Sequence, residues 1–197
     1  MFCFFTQYIM HINEEKKRKQ KLENEKINKY HQKYLEIAEK ISELSHAKKK
    51  KVGCILVKNG VIISDGYNGT PTGYENECED CDGNTKWYTL HSEANAITKL
   101  VKIGGISSEN STLYTTLSPC KECSKLILQS GISSVIYKER YRDTTGIDFL
   151  NNSGIKVYQF IDSNDSNDCN SNDSNDSNDS NNSNNSNKNN KKVTFKE

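Results

Sequence analysis

Apolar residues recur in two rhythms along this chain. Tyr30, Tyr34, Ile37, Ala38, Ile41 and Leu44 fall three or four apart, which predicts an amphipathic helix ending near Ser45. Beyond it the rhythm shortens. Val52-Gly53-Cys54-Ile55-Leu56-Val57 and Val61-Ile62-Ile63 are short β-branched runs on either side of Asn59-Gly60, the pairing expected of a tight hairpin. Strand chemistry returns at 112–116, 135–137 and 156–160. Between those runs, 94–100 and 124–128 read as helices, and Gly131 stands where a helix cap belongs. The stretch from Gly66 to Gly83 is rich in Gly, Asn, Asp and Pro and reads as loop. A hairpin followed by alternating helix and strand predicts an α/β domain around a mixed sheet.

The two ends follow neither rhythm. From Asn13 to about Lys29 nearly every residue is charged or polar, which predicts a solvated helix or a mobile arm. After Asp162 the chain runs into Ser-Asn-Asp and Ser-Asn-Asn repeats, a composition that buries too little apolar surface to offset the entropy of ordering it. The expected division is therefore an extension over 1–29, a domain over 30–162 and a disordered tail over 163–197. These ends also explain why only 33% of the 197 residues are hydrophobic while the middle still has a core to bury.

Composition then excludes several classes. A net charge of +1 argues against a nucleic-acid-coating protein, although lysines cluster at Lys16–Lys21 and Lys48–Lys51. Seven cysteines, two of the gaps being Cys-x-x-Cys, point to metal binding or reduced thiols rather than a disulfide framework. The start, Met1-Phe2-Cys3-Phe4-Phe5, lacks the basic lead and cleavage site of a signal peptide, and no stretch approaches the roughly 20 apolar residues of a membrane span. A cytoplasmic protein with no membrane or nucleic-acid partner is expected.

The candidate chemistry sits at two places. His91-Ser92-Glu93 precedes one expected helix, and Pro119-Cys120-Lys121-Glu122-Cys123 opens the other. His91, Cys120 and Cys123 suit a tetrahedral zinc ion with one position left for water. Glu93, which is not a ligand, is placed to carry protons. Cys-x-x-Cys alone also suits a redox pair, but His-x-Glu upstream of Pro-Cys-x-x-Cys resembles the signature of zinc nucleobase deaminases.

The resemblance becomes narrower with Gly66-Tyr67-Asn68-Gly69-Thr70-Pro71, taken with Val52-Gly53-Cys54-Ile55, His91-Ser92-Glu93-Ala94-Asn95-Ala96-Ile97 and Tyr114-Thr115-Thr116-Leu117-Ser118-Pro119-Cys120-Lys121-Glu122-Cys123. From about Tyr34 to Phe160 the chain resembles the deoxycytidylate deaminase family, in the cytidine deaminase-like superfamily. The resemblance implies a three-layer α/β/α sandwich with a mixed central sheet. It implies a Zn2+-dependent conversion of dCMP and water to dUMP and ammonia, supplying dUMP for dTTP synthesis, and assembly as a homo-oligomer, usually a hexamer. Asn68 matches the family's asparagine near the substrate sugar and phosphate, and Tyr141-Arg142 stands where the family has an aromatic residue against the pyrimidine and, in some members, an arginine. Lys49 is the candidate among Lys48–Lys51 for the phosphate, and dCTP and dTTP are candidate effectors.

Two departures stand out. Ser92 replaces the family's usual alanine, and His46, Cys78 and Cys81 lie near, but off, the positions that hold a second, structural zinc in some members. The zinc motif is shared with deaminases of cytidine, tRNA adenosine, guanine and riboflavin precursors. Another base, or a zinc-stabilised binding module without catalysis, is the alternative.

Overall fold

A computed structural model describes the backbone of residues 2–161 and 194–196 and the side chains of residues 13–161. The chain opens with one long helix, α1 (Phe2–Ser42), followed by the hairpin strands β1 (Gly53–Lys58) and β2 (Val61–Tyr67). Helix α2 (Ser92–Ile103) leads to β3 (Thr112–Leu117), α3 (Lys121–Gln129) to β4 (Ser134–Glu139), and α4 (Thr145–Asn152) to β5 (Lys156–Ile161). A short strand, β6 (Thr194–Lys196), completes a six-stranded sheet of order β2-β1-β3-β4-β5-β6.

The sheet is mixed, for reasons local to each connection. Asn59 and Gly60 both take positive φ, 51° and 77°, the backbone of a two-residue turn whose twist matches its strands. That turn sets β1 antiparallel to β2, while β3, β4 and β5 run parallel and are joined by crossover helices. Along each strand the side chains alternate between two apolar layers. Cys54, Leu56, Leu113, Val135 and Val157 face Ala96, Leu100, Ile127, Ile147 and Leu150 of α2, α3 and α4. Ile55, Val57, Tyr114, Ile136 and Phe160 face Leu35, Tyr34 and Ile41 of α1. The expected three-layer sandwich is what this alternation builds.

No helix break separates the 1–29 extension from the domain, because Glu, Lys, Gln and Asn run on without a glycine or proline before Gly53. Most of the expected disordered tail lies outside the described residues. Thr194–Lys196, however, pairs antiparallel with Gln159–Ile161, as suits a segment where Thr194-Phe195 replaces the Ser/Asn repeats. Among the described residues, no helix is long and apolar enough to cross a membrane.

Two glycines let the helices approach closely enough to align the site. A Cβ at Gly66 would lie 2.2 Å from the Ser92 carbonyl oxygen and 2.6 Å from the Ala96 nitrogen, so only glycine lets the first turn of α2 rest on β2. A Cβ at Gly146 would lie 2.4 Å from the Pro119 carbonyl oxygen, which fixes α4 against the start of α3.

Candidate active site

The site forms where open α/β sheets usually bind ligands, beyond the carboxyl ends of parallel strands. The chain leaves β3 at Leu117 and reaches Cys120 after three residues, and it leaves β4 at Glu139 and reaches Tyr141 after two. His91 caps α2 with extended backbone (φ −76°, ψ 158°) and makes no capping hydrogen bond, so its imidazole is available to a ligand. Cys120 holds the same position on α3, and Cys123 lies on the first turn behind it.

These three side chains converge. His91 Nδ1 lies 3.4 Å from Cys120 Sγ and 3.4 Å from Cys123 Sγ, and all three ligand atoms fall within 4.8 Å of one another. Ligands at ordinary Zn–N and Zn–S lengths around a tetrahedral ion are separated by about 3.5 Å, so the set fits zinc. Two thiolates and one imidazole are also the soft donors that zinc prefers. Among the described residues this is the one group of three that could hold a metal; His46, Cys78 and Cys81 do not form a second.

The thiols are strongly coupled. Cys120 is lowered to about 3 because Cys123 and then His91 hydrogen-bond to its sulfur. Cys123 is pushed up by that same bond to Cys120, by burial and by the charge of Glu93. The pair therefore gives up its first proton readily and holds its second, which a divalent cation between the sulfurs displaces. His91 is raised, chiefly through its hydrogen bond to Cys120.

Glu93 sits one helical step inside, only 4% exposed. Burial pushes its carboxyl above the usual range, against the pull of its own backbone N–H, of His91 and of Ser92. The fully buried Ser92 hydroxyl donates to Glu93 Oε2 at 2.9 Å. The serine that departs from the family's usual alanine thus orients the carboxyl, a role that sequence did not indicate. A buried, raised carboxyl next to a metal set is suited to accepting and returning a proton near neutral pH.

A cavity of about 200 Å3 brings the rest together. His91, Glu93 and Cys120 line it with Lys49, Asn68 and Tyr141, three of the four residues expected around a substrate. The fourth, Arg142, is exposed and outside the lining, its guanidinium carbon 6.0 Å from the Tyr141 ring centre. Asn68 is heavily used: Oδ1 accepts from the Val52 N–H at 2.8 Å, and Nδ2 donates to the Lys50 carbonyl at 2.9 Å. The asparagine therefore fixes the 50–52 wall of the cavity. Tyr141 is set by its own N–H, which donates to the buried Ser118 hydroxyl at 2.8 Å. Lys50 is paired with Glu139, whereas Lys49 has no ion pair among the described residues.

Sequence reasoning passed over Glu79, Thr85 and Ser118, which also line the cavity. Ser118 adjoins the Pro-Cys motif, and its position was the available signal. Glu79 is one of six acidic residues between Glu75 and Glu93 and carries no mark in the sequence.

A soft metal set of two sulfurs and one nitrogen beside a buried carboxyl, in a cavity above parallel strands, defines a metal-dependent hydrolytic domain. The chain belongs to the cytidine and deoxycytidylate deaminase zinc-binding family, whose model matches residues 28–139. It is 36% identical over 139 residues to the deoxycytidylate deaminase of Saccharomyces cerevisiae, covering 64% of this chain and 43% of the yeast protein. It is 33% identical over 173 residues to the deoxycytidylate deaminase of Enterobacteria phage T4, covering 66% of this chain and 89% of the phage protein. Among solved structures, the dCMP deaminase of cyanophage S-TIM5 in complex with dCMP and dUMP aligns at 45% identity and a TM-score of 0.63, over 65% of this chain and 94% of the phage chain.

Proposed function

We propose that this chain is a zinc-dependent deaminase that converts dCMP and water to dUMP and ammonia. One observation carries the reading: His91 and Cys120 of the metal set and Glu93 share a cavity with Lys49, Asn68 and Tyr141. The relatives named deoxycytidylate deaminase, and the dCMP- and dUMP-bound cyanophage enzyme, support the nucleotide as substrate.

His91, Cys120 and Cys123 would hold the zinc ion, which when bound would make a water acidic enough to attack near neutral pH. Glu93 is placed to take the first proton of an attacking water, deliver it to the ring nitrogen next to the amine-bearing carbon, and pass the water's second proton to the amine as it leaves. Ser92 holds the carboxyl in place for these transfers. Tyr141 packs against the pyrimidine, and Asn68 holds the 50–52 wall against the sugar. Lys49 at the wall and Arg142 outside Tyr141 are the cations for the phosphate; the planar fork of arginine suits its oxygens.

We read the working form as a cytoplasmic homo-oligomer, a hexamer by family resemblance, with dCTP and dTTP as effectors. A substrate panel tests the assignment. Zinc-loaded protein is expected to release dUMP and ammonia in equal amounts from dCMP and to leave cytidine and adenosine-bearing tRNA unchanged. Preference for either of those would transfer the site to another base.

A further inference from the structure

We propose that Glu79 reads the sugar of the substrate by accepting a hydrogen bond from its 3′-hydroxyl. The inference rests on the dCMP reading and adds a specificity-determining residue to it.

Glu79 lies in the loop between β2 and α2, which is tied at several points. Gly69 bridges Leu90, Glu79 bridges Thr85, and the Cys78 carbonyl accepts from the Lys86 N–H at 2.8 Å and the Thr89 hydroxyl at 3.1 Å. With Cys78 only 1% exposed as the loop's apolar anchor, the neighbouring carboxyl is held inward, at 7% exposure, on the cavity wall. Its Oε1 accepts from the backbone N–H groups of Lys48 at 3.0 Å and Lys49 at 3.2 Å. Its Oε2 is buried and has no hydrogen-bond partner, the one such side-chain atom among the described residues.

Buried carboxylate oxygens are ordinarily paired, so this one calls for a donor. The last torsion of a glutamate is soft, and a small turn brings Oε2 to an occupant while Oε1 keeps an amide. The choice of donor follows from the substrate. A phosphate dianion has only acceptors and carries like charge, so it pairs with the Lys49 ammonium and offers Glu79 Oε2 no proton. The amine of the base must meet Glu93 and the metal set. A deoxynucleotide then has one donor left, the 3′-hydroxyl.

The test compares dCMP with 2′,3′-dideoxycytidine monophosphate on the zinc-loaded full chain and on Glu79→Gln, which keeps an oxygen for the Lys48 and Lys49 amides. The unmodified chain is expected to favour dCMP in kcat/KM by about 10- to 100-fold or more, the range for a hydrogen bond to a charged acceptor. In Glu79→Gln the dCMP value is expected to fall by about that factor and the dideoxy value to stay, so that discrimination collapses with zinc content unchanged. Equal loss on both nucleotides would reduce Glu79 to a holder of the 48–49 backbone and overturn the proposal. Equal rates for both nucleotides on the unmodified chain would overturn it without recourse to a variant. No turnover of dCMP at all would instead overturn the functional reading, and this inference with it.

Discussion

Glu93→Gln is expected to lower kcat on dCMP by about 100- to 10,000-fold or more, the range ascribed to a positioned general acid–base group. Zinc content and melting temperature should stay close to those of the unmodified chain. Glutamine has the same shape and retains an oxygen for the Ser92 hydroxyl, so the first turn of α2 is undisturbed. What it loses is a proton that can leave and return. The buried carboxyl, pushed upward by desolvation, is otherwise an expensive group to keep at 4% exposure, and a proton-carrying role accounts for it. Stopped-flow turnover with metal analysis on the same sample checks this. Undiminished turnover would remove Glu93 from the chemistry.

The second large effect concerns Cys123→Ala. Cys123 is 2% exposed, on the face of α3 toward His91, and its removal leaves two ligands where zinc needs at least three from the protein. Zinc is expected to fall from one per chain to below about a tenth at micromolar protein, and activity to background, because metal affinity in such sites is shared steeply among few ligands. The melting temperature should fall as well, since metal bound only by the folded state stabilises it by mass action. Cys78→Ala, which alters a buried cysteine outside the metal set, is expected to retain one zinc per chain. Inductively coupled plasma analysis and calorimetry on the two variants separate metal loss from general damage.

Much of this site was legible because its chemistry demands particular residue types at particular spacings. The imidazole, the carboxyl two residues on, and two thiols three apart at a helix start all follow from local sequence, and each lies where helix geometry places it. The hairpin was legible for the same reason, since Asn59-Gly60 both take positive φ. Elements without a strong local rhythm were harder to see. Helix α4 spans only Thr145–Asn152 and offers two buried apolar contacts, Ile147 and Leu150, so its pattern is too short to stand apart from a loop. The polar continuation of α1 has no apolar stripe to announce it and follows instead from helix-favouring residues without a breaker.

The same limit governs the substrate side. Which of Glu75, Glu77, Glu79 and Asp80 is buried depends on a loop held by bridges between residues far apart, and nothing at Glu79 itself signals it. Asn68 was expected beside the sugar and phosphate. Its amide is tied to Val52 and Lys50, an arrangement that only the packing of β2 against the 50–52 segment reveals. Arg142 illustrates the converse, a residue type well matched to a phosphate whose placement beside Tyr141 leaves it exposed.

The central claim is that the amine leaves a base carried on a phosphorylated sugar. It is tested most directly by kcat/KM for dCMP against deoxycytidine on one preparation of known zinc content. A contact between a fixed cation and the phosphate favours dCMP by at least about 100-fold. That preference is the expected result, and equal values for the two substrates would contradict the account.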